Sequence, residues 1–529
     1  MTELTGPAMT DASNRPTKSI VVVGGGTAGW IVAGRIAAMH SCDGGSEGGV
    51  QVTLIEAPGI PAVGVGEGTW PTMRNTLRKL GIAESDFLRE CGATFKQGAK
   101  FARWVDGGDD DYYYHPLVLP QGFTKMDLSR HWQQSLKGQG LSFSNAVCYQ
   151  EQLCESGLAP KQMTTPEYAS VANYAYHLDA GKFADFLQSH CTEKLGVRYL
   201  RDEVLSVNAA ANGDIESLVT RNSGELAGDL FVDCTGFASR LLGGHYRVPF
   251  IDRSDVLFID RALAVQVPYE NADDPIACHT ISTAQDAGWI WDIGLTHRRG
   301  VGYVYSSAHS SAEAAELRLR AYVGRAIEKL SVREIPIHSG HREKFWVNNC
   351  VAVGLSAGFL EPLEASALVL VELSAEMIAE QLPARRDVMD ITARRFNEIF
   401  RYRWDRIVDF LKLHYLLSKR EESFWSDNRD PASVPDSLQE LMSLWRYRPP
   451  GNCDFTSNNE VFPAASYQYV LYGMGFETDL DSTASRLRDE SVAVEHFAAN
   501  RKTTARALAA LPKHRELLEK IHQYGLQAI

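Results

Sequence analysis

The sequence lacks any CxxC pair, and its nine cysteines are scattered across 529 residues. Closely spaced cysteines are what zinc sites and small disulfide frameworks use, so neither is indicated and no metal is predicted. An odd number of unpatterned cysteines is typical of a reducing compartment. We therefore expect a cytoplasmic protein.

Long apolar runs and an excess of basic residues are also missing. No window approaches the roughly 18 apolar residues of a membrane span, and residues 1–17 lack the apolar core of a signal peptide. The formal net charge of −13 argues against a nucleic-acid partner, which would require a basic face. Neither a membrane nor a nucleic acid is expected as a partner, and the acidic surface serves solubility.

The chain does contain a β-branched run that stops at glycines. Residues 19–23 (SIVVV) precede a glycine-rich turn and the segment TAGWIVAGRIAAMH, which predicts a strand, a tight turn and a helix. Glycine lets the backbone approach a pyrophosphate, which the helix N-terminus attracts with its N–H groups and its dipole. The residues predicted to meet that pyrophosphate are Gly24, Gly26, Thr27, Ala28 and Gly29.

A second predicted strand, residues 50–56, ends in an acidic residue. Glu56 is thereby placed to bind a ribose hydroxyl, as the acid of dinucleotide-binding folds does. Strand, glycine turn, helix and acid occur in the expected order. The pattern predicts a bound dinucleotide, with a purely structural turn as the alternative.

The rest of the chain predicts an α/β protein with a doubly wound nucleotide-binding domain, a β-rich layer and a helical C-terminal part. The nucleotide-binding domain spans residues 18–385 in discontinuous pieces, with the β-rich layer at about 255–345 and insertions at about 105–170. Residues 386–529 are dominated by helical patterns. Residues 72–104 also look mostly helical.

Two further segments, together with the glycine loop, resemble those of the flavin-dependent halogenases, the family that contains the tryptophan halogenases. They are ATFKQGAKFARW (93–104) and AGWIWDIGL (287–295). The resemblance covers roughly residues 18–480, and the motifs are specific in combination. It implies a monooxygenase-like FAD-binding fold and the halogenation of an electron-rich aromatic ring.

The resemblance implies FAD as the cofactor, where the glycine loop alone would allow NAD. DLFVDCTGF (229–237) and CVAVGLSAGF (350–359) resemble flavin-contacting stretches of the monooxygenase fold. GVGEGTWP (64–71) resembles the loop that lies along the isoalloxazine. The further residues implied to contact FAD are Gly66, Glu67, Val204, Leu355 and Leu368.

The same resemblance implies the other reactants. A separate flavin reductase supplies the cofactor as FADH2 by diffusion. O2 and a halide ion, chloride or bromide, are co-substrates. Whether the chain forms a homodimer is left open by the sequence.

Lys96 corresponds to the lysine that lies, in this family, at the inner end of a tunnel from the flavin. There its ammonium can hydrogen-bond hypohalous acid, or its amine can be halogenated by it. Glu364, in EPLEAS (361–366), corresponds to a carboxylate beside that lysine, which stabilises the cationic ring intermediate and accepts its proton. The alternatives are a solvated surface lysine and a carboxylate that only complements a helix N-terminus.

The halide position departs from the family pattern. Family members usually read Glu-Ser-Thr-Gly where this chain has Glu364, Ala365, Ser366 and Ala367. The resemblance implies that backbone amides at Ser366 and Ala367 hold the halide. Alanine in place of glycine is expected to tighten or reshape that position.

The tryptophan pair departs from its motif as well. Trp289 and Trp291 match a motif implied to keep the substrate away from the flavin, but Gly294 replaces its proline. The alternative is that both indoles are core residues of a strand.

YYYHPL (112–117) resembles a segment that lines the indole site of the family. His115 matches its histidine, whereas Leu117 stands where phenylalanine is common. These two residues and Glu364 are the predicted substrate contacts.

The segment 455–475 corresponds to one that clamps the amino-acid backbone in the tryptophan enzymes. It looks shortened and retains Glu460 and Phe462 as remnants. We therefore expect an open pocket that suits an indole-type ring, and free indole better than L-tryptophan.

Two other functions fit parts of the pattern. A flavin-dependent aromatic hydroxylase would need the same cofactor but not Lys96. A flavin- or indole-binding protein without turnover would need neither Lys96 nor Glu364. Retention of both residues favours the halogenase.

Overall fold

The structure is a computed structural model that describes residues 16–41, 49–59, 66–455, 457–480 and 489–528. Its strands are β1 (Ser19–Val23), β2 (Gln51–Glu56), β3 (Glu67–Gly68), β4 (Thr94–Lys96), β5 (Gly98–Ala102), β6 (Tyr112–Pro116), β7 (Ala175–Leu178), β8 (Arg198–Arg201), β9 (Val204–Ala209), β10 (Ile215–Thr220), β11 (Glu225–Ala227), β12 (Leu230–Asp233), β13 (Phe250–Asp252), β14 (Arg261–Pro268), β15 (Thr280–Gln285), β16 (Gly288–Gly294), β17 (Arg298–Tyr305), β18 (Arg333–Pro336), β19 (Gly340–Arg342), β20 (Trp346–Val347), β21 (Cys350–Ala352) and β22 (Gly358–Phe359). Its helices are α1 (Thr27–His40), α2 (Met73–Lys79), α3 (Glu84–Glu90), α4 (Ser129–Ser135), α5 (Phe143–Val147), α6 (Gln150–Glu155), α7 (Ala180–Glu193), α8 (Ala312–Val323), α9 (Ser366–Glu380), α10 (Arg386–Leu416), α11 (Ser423–Asn428), α12 (Asp436–Trp445), α13 (Ala464–Gly473), α14 (Glu490–Ala510) and α15 (His514–Tyr524).

A six-stranded sheet in the order β20-β21-β12-β1-β2-β8 forms the nucleotide-binding half. Its pairs are parallel except for β20 at the edge. After Ser19, strand β1 is apolar and fully buried, as is typical of a central parallel strand whose two faces are both covered. Helix α1 packs against α7 and α9, and an ion pair of 2.6 Å between Arg35 and Glu376 joins α1 to α9. The α/β fold predicted from the sequence is confirmed.

A seven-stranded sheet in the order β18-β14-β17-β16-β15-β5-β6 forms the β-rich layer. Its pairs are antiparallel except that β5 runs parallel to β15. The layer therefore takes two strands from residues 98–116, outside the range 255–345 that the sequence suggests. The expectation of helix is wrong for residues 94–102, because pairing with β7, β15 and β6 overrides the local pattern.

The small sheet β3-β7-β4 positions Lys96. Within it, Gly68 and Thr94 both pair with His177, and Lys96 pairs with Ala175. Two further three-stranded sheets, β11-β10-β9 and β13-β19-β22, flank the nucleotide-binding half. In the part of the chain that is described, no helix is long and apolar enough to cross a membrane.

Gly29 offers a test of the loop geometry. A Cβ at Gly29 would lie 1.9 Å from the carbonyl oxygen of Gly24, so Gly29→Ala must push the loop away from α1. We expect this substitution to lower the free energy of unfolding by about 1–3 kcal/mol. The midpoint of urea unfolding, followed by circular dichroism, measures the change.

Gly26→Ala is the matched control. A Cβ at Gly26 would meet no atom within 4 Å, and the residue has an ordinary φ of −73°. Its unfolding midpoint should stay close to that of the unsubstituted protein. Equal midpoints for the two variants would show that the Gly24–Gly29 contact is not a packing constraint.

Candidate functional site

A cavity of about 720 Å³ lies between the six-stranded and seven-stranded sheets. The predicted residues that line it are Gly24, Gly26, Thr27, Ala28, Glu56, Gly66, Glu67, Lys96, Val204, Trp291, Leu355, Ser366, Ala367 and Leu368. Gly29 does not line the cavity but lies behind the loop, against Gly24. Residues predicted from separate motifs thus meet in one cavity.

The glycine loop turns at the carboxyl end of β1. Gly24 has a φ of +117° and donates its N–H to the carbonyl of Ile55 over 2.8 Å. A Cβ at Gly25 would lie 2.2 Å from the carboxyl carbon of Glu56, so a side chain there would displace that carboxylate. The sequence analysis missed Gly25, although it sits within the glycine run. Tyr199 donates to Glu56 over 2.8 Å and fixes the acid at the cavity wall.

The N-terminus of α1 faces this cavity and suits an anionic group. Gly26 caps the helix without a side-chain hydrogen bond, which leaves the first helical N–H groups to a ligand or solvent. Side chains at Gly26 and Gly236 would project into open space of the cavity. The cavity volume also lies in the range of about 300–1,000 Å³ typical of cofactor pockets. These features fit a dinucleotide.

Lys96 ends β4 with its side chain at the cavity wall. The residue is only 4% exposed, and its Nζ lies 3.4 Å from the carbonyl oxygen of Thr69. Burial lowers the pKa of Lys96 to about 8, although the charge of Glu364 raises it in part. The surface-lysine alternative is therefore excluded. At neutral pH the side chain is mainly an ammonium with an appreciable fraction of amine.

Glu364 is buried among histidines and forms no direct ion pair with Lys96. Its Oε1 lies 2.9 Å from Nδ1 of His115 and 3.1 Å from Nε2 of His414, the latter contact being poorly aligned for a hydrogen bond. Burial alone would raise the pKa of Glu364. The two imidazoles outweigh burial and hold that pKa below its usual range. Glu364 is therefore a carboxylate at neutral pH.

The histidines have partners of their own. Because an ionised carboxylate only accepts hydrogen bonds, Nδ1 of His115 is its donor, and Nε2 of His115 lies 2.9 Å from the Ser466 hydroxyl. Nδ1 of His414 lies 2.5 Å from the Tyr113 hydroxyl. Burial lowers the pKa of His414, against the charge of Glu364. The sequence analysis missed His414, which is a single histidine inside α10 with no local signal.

The start of α9 forms the wall next to Lys96. Ala365 precedes the helix with a φ of 54°, a conformation uncommon for a residue with a side chain. A Cβ at Gly68 would lie 3.3 Å from both the Ala365 Cβ and the Lys96 Nζ. Ser366 and Ala367 begin the helix at the cavity, so their backbone amides are near the lysine end.

Trp289 and Trp291 lie on β16, on the face towards the six-stranded sheet. Trp291 lines the cavity, whereas Trp289 is buried and donates its indole N–H to Glu361 over 3.0 Å. Burial raises the pKa of Glu361 to about 7. A Cβ at Gly294 would lie 2.9 Å from the Ile276 side chain, so a larger residue there would require its neighbours to move.

The segment 457–475 packs beside the residues around Glu364, although none of its residues lines the cavity, so the open pocket stays a prediction. Phe462 is 1% exposed and stacks on Phe410 with ring centroids 3.8 Å apart. Its ring also contacts Trp70, which donates to the Glu364 carbonyl over 2.7 Å. Helix α13 then packs on β6. Aromatic stacking therefore holds this segment against the residues around Glu364.

Leu117 and Glu460, two residues predicted on the substrate side, form hydrogen bonds within the protein. The Leu117 N–H donates to Gln150 over 2.8 Å, and Leu117 does not line the cavity. Glu460 accepts the Tyr402 hydroxyl over 2.7 Å and the N–H groups that follow it in the chain.

Known proteins resemble this chain in sequence and in structure over nearly its whole length. The sequence profile of the family named tryptophan halogenase matches residues 19–489. The tryptophan 6-halogenase SttH of Streptomyces toxytricini is 33% identical, over 97% of this chain and 99% of the relative. The tryptophan halogenase structure from Shewanella frigidimarina is 48% identical with a TM-score of 0.95, covering 98% of this chain and all of its own. BrvH, a flavin-dependent halogenase from Brevundimonas sp. BAL3, is 31% identical with a TM-score of 0.83, over 95% and 99% of the two chains.

The lowered pKa of Lys96 predicts a distinctive chemical reactivity. Acetic anhydride reacts only with the neutral amine, and its own reactivity does not depend on protonation, so trace acetylation of Lys96 should rise with pH and level off above pH 8. Ordinary lysines level off only above about pH 10. Peptide mass spectrometry after short exposures at a series of pH values measures the profile.

Glu364→Gln tests whether the charge of Glu364 raises the pKa of Lys96. The Glu364 charge raises the pKa of Lys96, so its removal should move the profile to lower pH. Glu460→Gln removes a carboxylate that does not bear on Lys96 and should leave the profile in place. A profile that does not respond to Glu364→Gln would mean that the two charges are uncoupled.

Proposed function

The chain belongs to the tryptophan halogenase family, and from this premise we propose that it halogenates an indole-type ring with hypohalous acid held at Lys96. Like its relatives, it is a flavin-dependent enzyme that acts on an aromatic substrate. The observation that carries the proposal is a buried, largely cationic lysine at the wall of the dinucleotide cavity, electrostatically coupled to a buried carboxylate.

The residues of the cavity fit FAD. The uncapped start of α1 would hold the pyrophosphate, Glu56 the ribose, and the walls at Glu67 and Leu355 the flavin end. When bound and reduced by a separate flavin reductase, FAD would supply two of the four electrons that O2 accepts. The chloride or bromide would supply the other two as it becomes hypohalous acid, and the second oxygen atom would leave as water. We further propose that residues 18–385 hold this cofactor and that residues 386–529 complete the substrate site. This division is supported by two contacts from the helical region: Ser466 contacts His115, and His414 contacts Glu364.

Lys96 receives the oxidant at its end of the cavity. The ammonium donates a hydrogen bond to the oxygen of hypohalous acid, which orients the halogen, or the amine form is halogenated itself. A pKa near 8 keeps both forms available at neutral pH. In either form the oxidant is localised, which raises its effective concentration at a bound ring. Backbone amides of Ser366 and Ala367 are proposed to hold the halide nearby.

Glu364 acts on the ring after halogen transfer. Its negative charge stabilises the arenium cation, and the carboxylate then takes the ring proton. The described contacts of both histidines are to Oε1, which leaves Oε2 as the oxygen for the proton. His115 is proposed to position this carboxylate and to line the substrate pocket. Trp289 and Trp291 are proposed to keep the ring away from the flavin end, and Trp291 lines the cavity.

Lys96→Ala should abolish halogenation while FAD binding and oxygen consumption persist. Lys96 lies apart from the glycine loop, so its removal affects the use of the oxidant and not its formation. We expect product formation to fall by about 100-fold or more. The assay contains the protein, FAD, a flavin reductase, NADH, halide and indole, with product read by mass spectrometry.

Lys100→Ala is the control, because Lys100 lies four residues on and pairs with Glu155 over 2.7 Å at the surface of β5. It should retain halogenation. Equal loss of FAD affinity in Lys96→Ala would identify Lys96 as a cofactor ligand and refute the proposal. A halide-independent hydroxylated product would support the hydroxylase alternative.

Free indole should be turned over better than L-tryptophan. Glu460 is occupied by Tyr402 and by backbone N–H groups, so it is not free to bind a substrate ammonium. Burying an ammonium and a carboxylate without partners costs several kcal/mol. With little else to orient it, indole should react at its most nucleophilic carbon, C3. Competition between equal concentrations of the two compounds measures the preference.

A clear preference for L-tryptophan with one benzo-ring product would contradict this substrate assignment. It would show that other residues bind the amino-acid backbone. The lysine mechanism would be unaffected, because it does not depend on how the ring is held.

A further inference from the structure

Two cysteines and a histidine from distant parts of the chain meet outside the cavity. One potential ligand atom each of Cys154, Cys278 and His279 lies within 4.8 Å of the other two. All three residues are buried, with exposures of 4%, 0% and 7%. Cys154 lies in α6, and the other two immediately precede β15. Their separation in sequence is why no metal motif was visible there.

The histidine has a nitrogen with no use in the fold. Nδ1 of His279 is buried and makes no hydrogen bond with the described residues. Its Nε2 lies 3.3 Å from the Tyr114 hydroxyl. A buried nitrogen without a partner is unfavourable, and most such groups in proteins are satisfied by a ligand, a water or an ion.

The donor set is that of a thiophilic cation. Two thiolates and an imidazole are ligands that Zn²⁺ takes at about 2.3 Å for sulfur and about 2.0 Å for nitrogen. A tetrahedral ion then holds its ligand atoms roughly 3.3–3.8 Å apart. Small side-chain rotations would close the present spacing to that range. Carboxylate-preferring ions such as Mg²⁺ would not select this set.

We propose that Cys154, Cys278 and His279 bind one Zn²⁺ ion, which fastens α6 to the start of β15. Three protein ligands leave the fourth tetrahedral position to water. On binding, each thiol releases its proton to solvent and each sulfur donates an electron pair to the ion, with no change of oxidation state. A disulfide between the cysteines is the competing outcome, but it would leave Nδ1 of His279 unpartnered.

The position of the site points to a structural role near Lys96. The Gln97 N–H, next to Lys96, donates to the Cys278 carbonyl over 2.7 Å. Thr280, next to His279, lines the cavity and lies 2.9 Å from Nε2 of His177. Glu155, next to Cys154, accepts from Tyr114 and Lys100. A bound ion would therefore link the inserted α6 region to the strands that carry the lysine.

The test uses the full chain, reduced, stripped of metal by a chelator and free of FAD. Titration with Zn²⁺ and elemental analysis should give one equivalent bound, and the unfolding temperature should rise with Zn²⁺. Co²⁺ in its place should give thiolate charge-transfer absorption. Since no halogenation is measured, the result is independent of the proposed function.

Cys154→Ser and His279→Gln should each weaken Zn²⁺ binding by about tenfold or more. Cys453→Ser, which alters an exposed cysteine, should bind Zn²⁺ like the unsubstituted protein. His279→Gln retains both thiols and so gives a second readout if the serine variant does not fold. Three results would overturn the proposal: no bound Zn²⁺, equal binding by the ligand variants, or a Cys154–Cys278 disulfide in place of bound metal.

Discussion

The burial of two opposite charges that do not touch is the constraint on which the site depends. Lys96 and Glu364 are both withdrawn from water, where an ionised group is costly unless the protein supplies partners. Glu364 lies beside the imidazoles of His115 and His414. Lys96 lies 3.4 Å from the Thr69 carbonyl oxygen, and burial lowers its pKa. In a direct ion pair, the ammonium and the carboxylate would be each other's partners. Separation leaves each charge able to interact with another group, as the proposed roles of Lys96 and Glu364 require.

This constraint explains why distant parts of the chain converge here. Strand β4 brings the lysine, the turn before α9 brings the carboxylate, and α10 and α13 bring His414 and Ser466. The cavity is lined by the glycine loop, the seven-stranded sheet, Lys96 and the start of α9.

The parts of the site that the sequence predicts are those with local signals. The glycine loop, the acid at the end of β2 and the strand with Trp289 each have a short pattern, and the structure has those elements in those places. Contacts made across long sequence separations had no such signal. His414 inside a long helix, the stacking of Phe462 on Phe410 and the pairing of residues 94–102 as strands all depend on tertiary packing.

Kinetics of Glu364→Gln test the central claim most directly, because this change removes one buried charge and keeps its shape. If Glu364 stabilises the ring cation and takes its proton, kcat should fall about 100-fold or more while the Kd for indole changes little. The His115 contact to the amide would keep the pocket in place. An unchanged kcat, or a loss confined to indole binding, would show that the carboxylate plays no part in the chemical step.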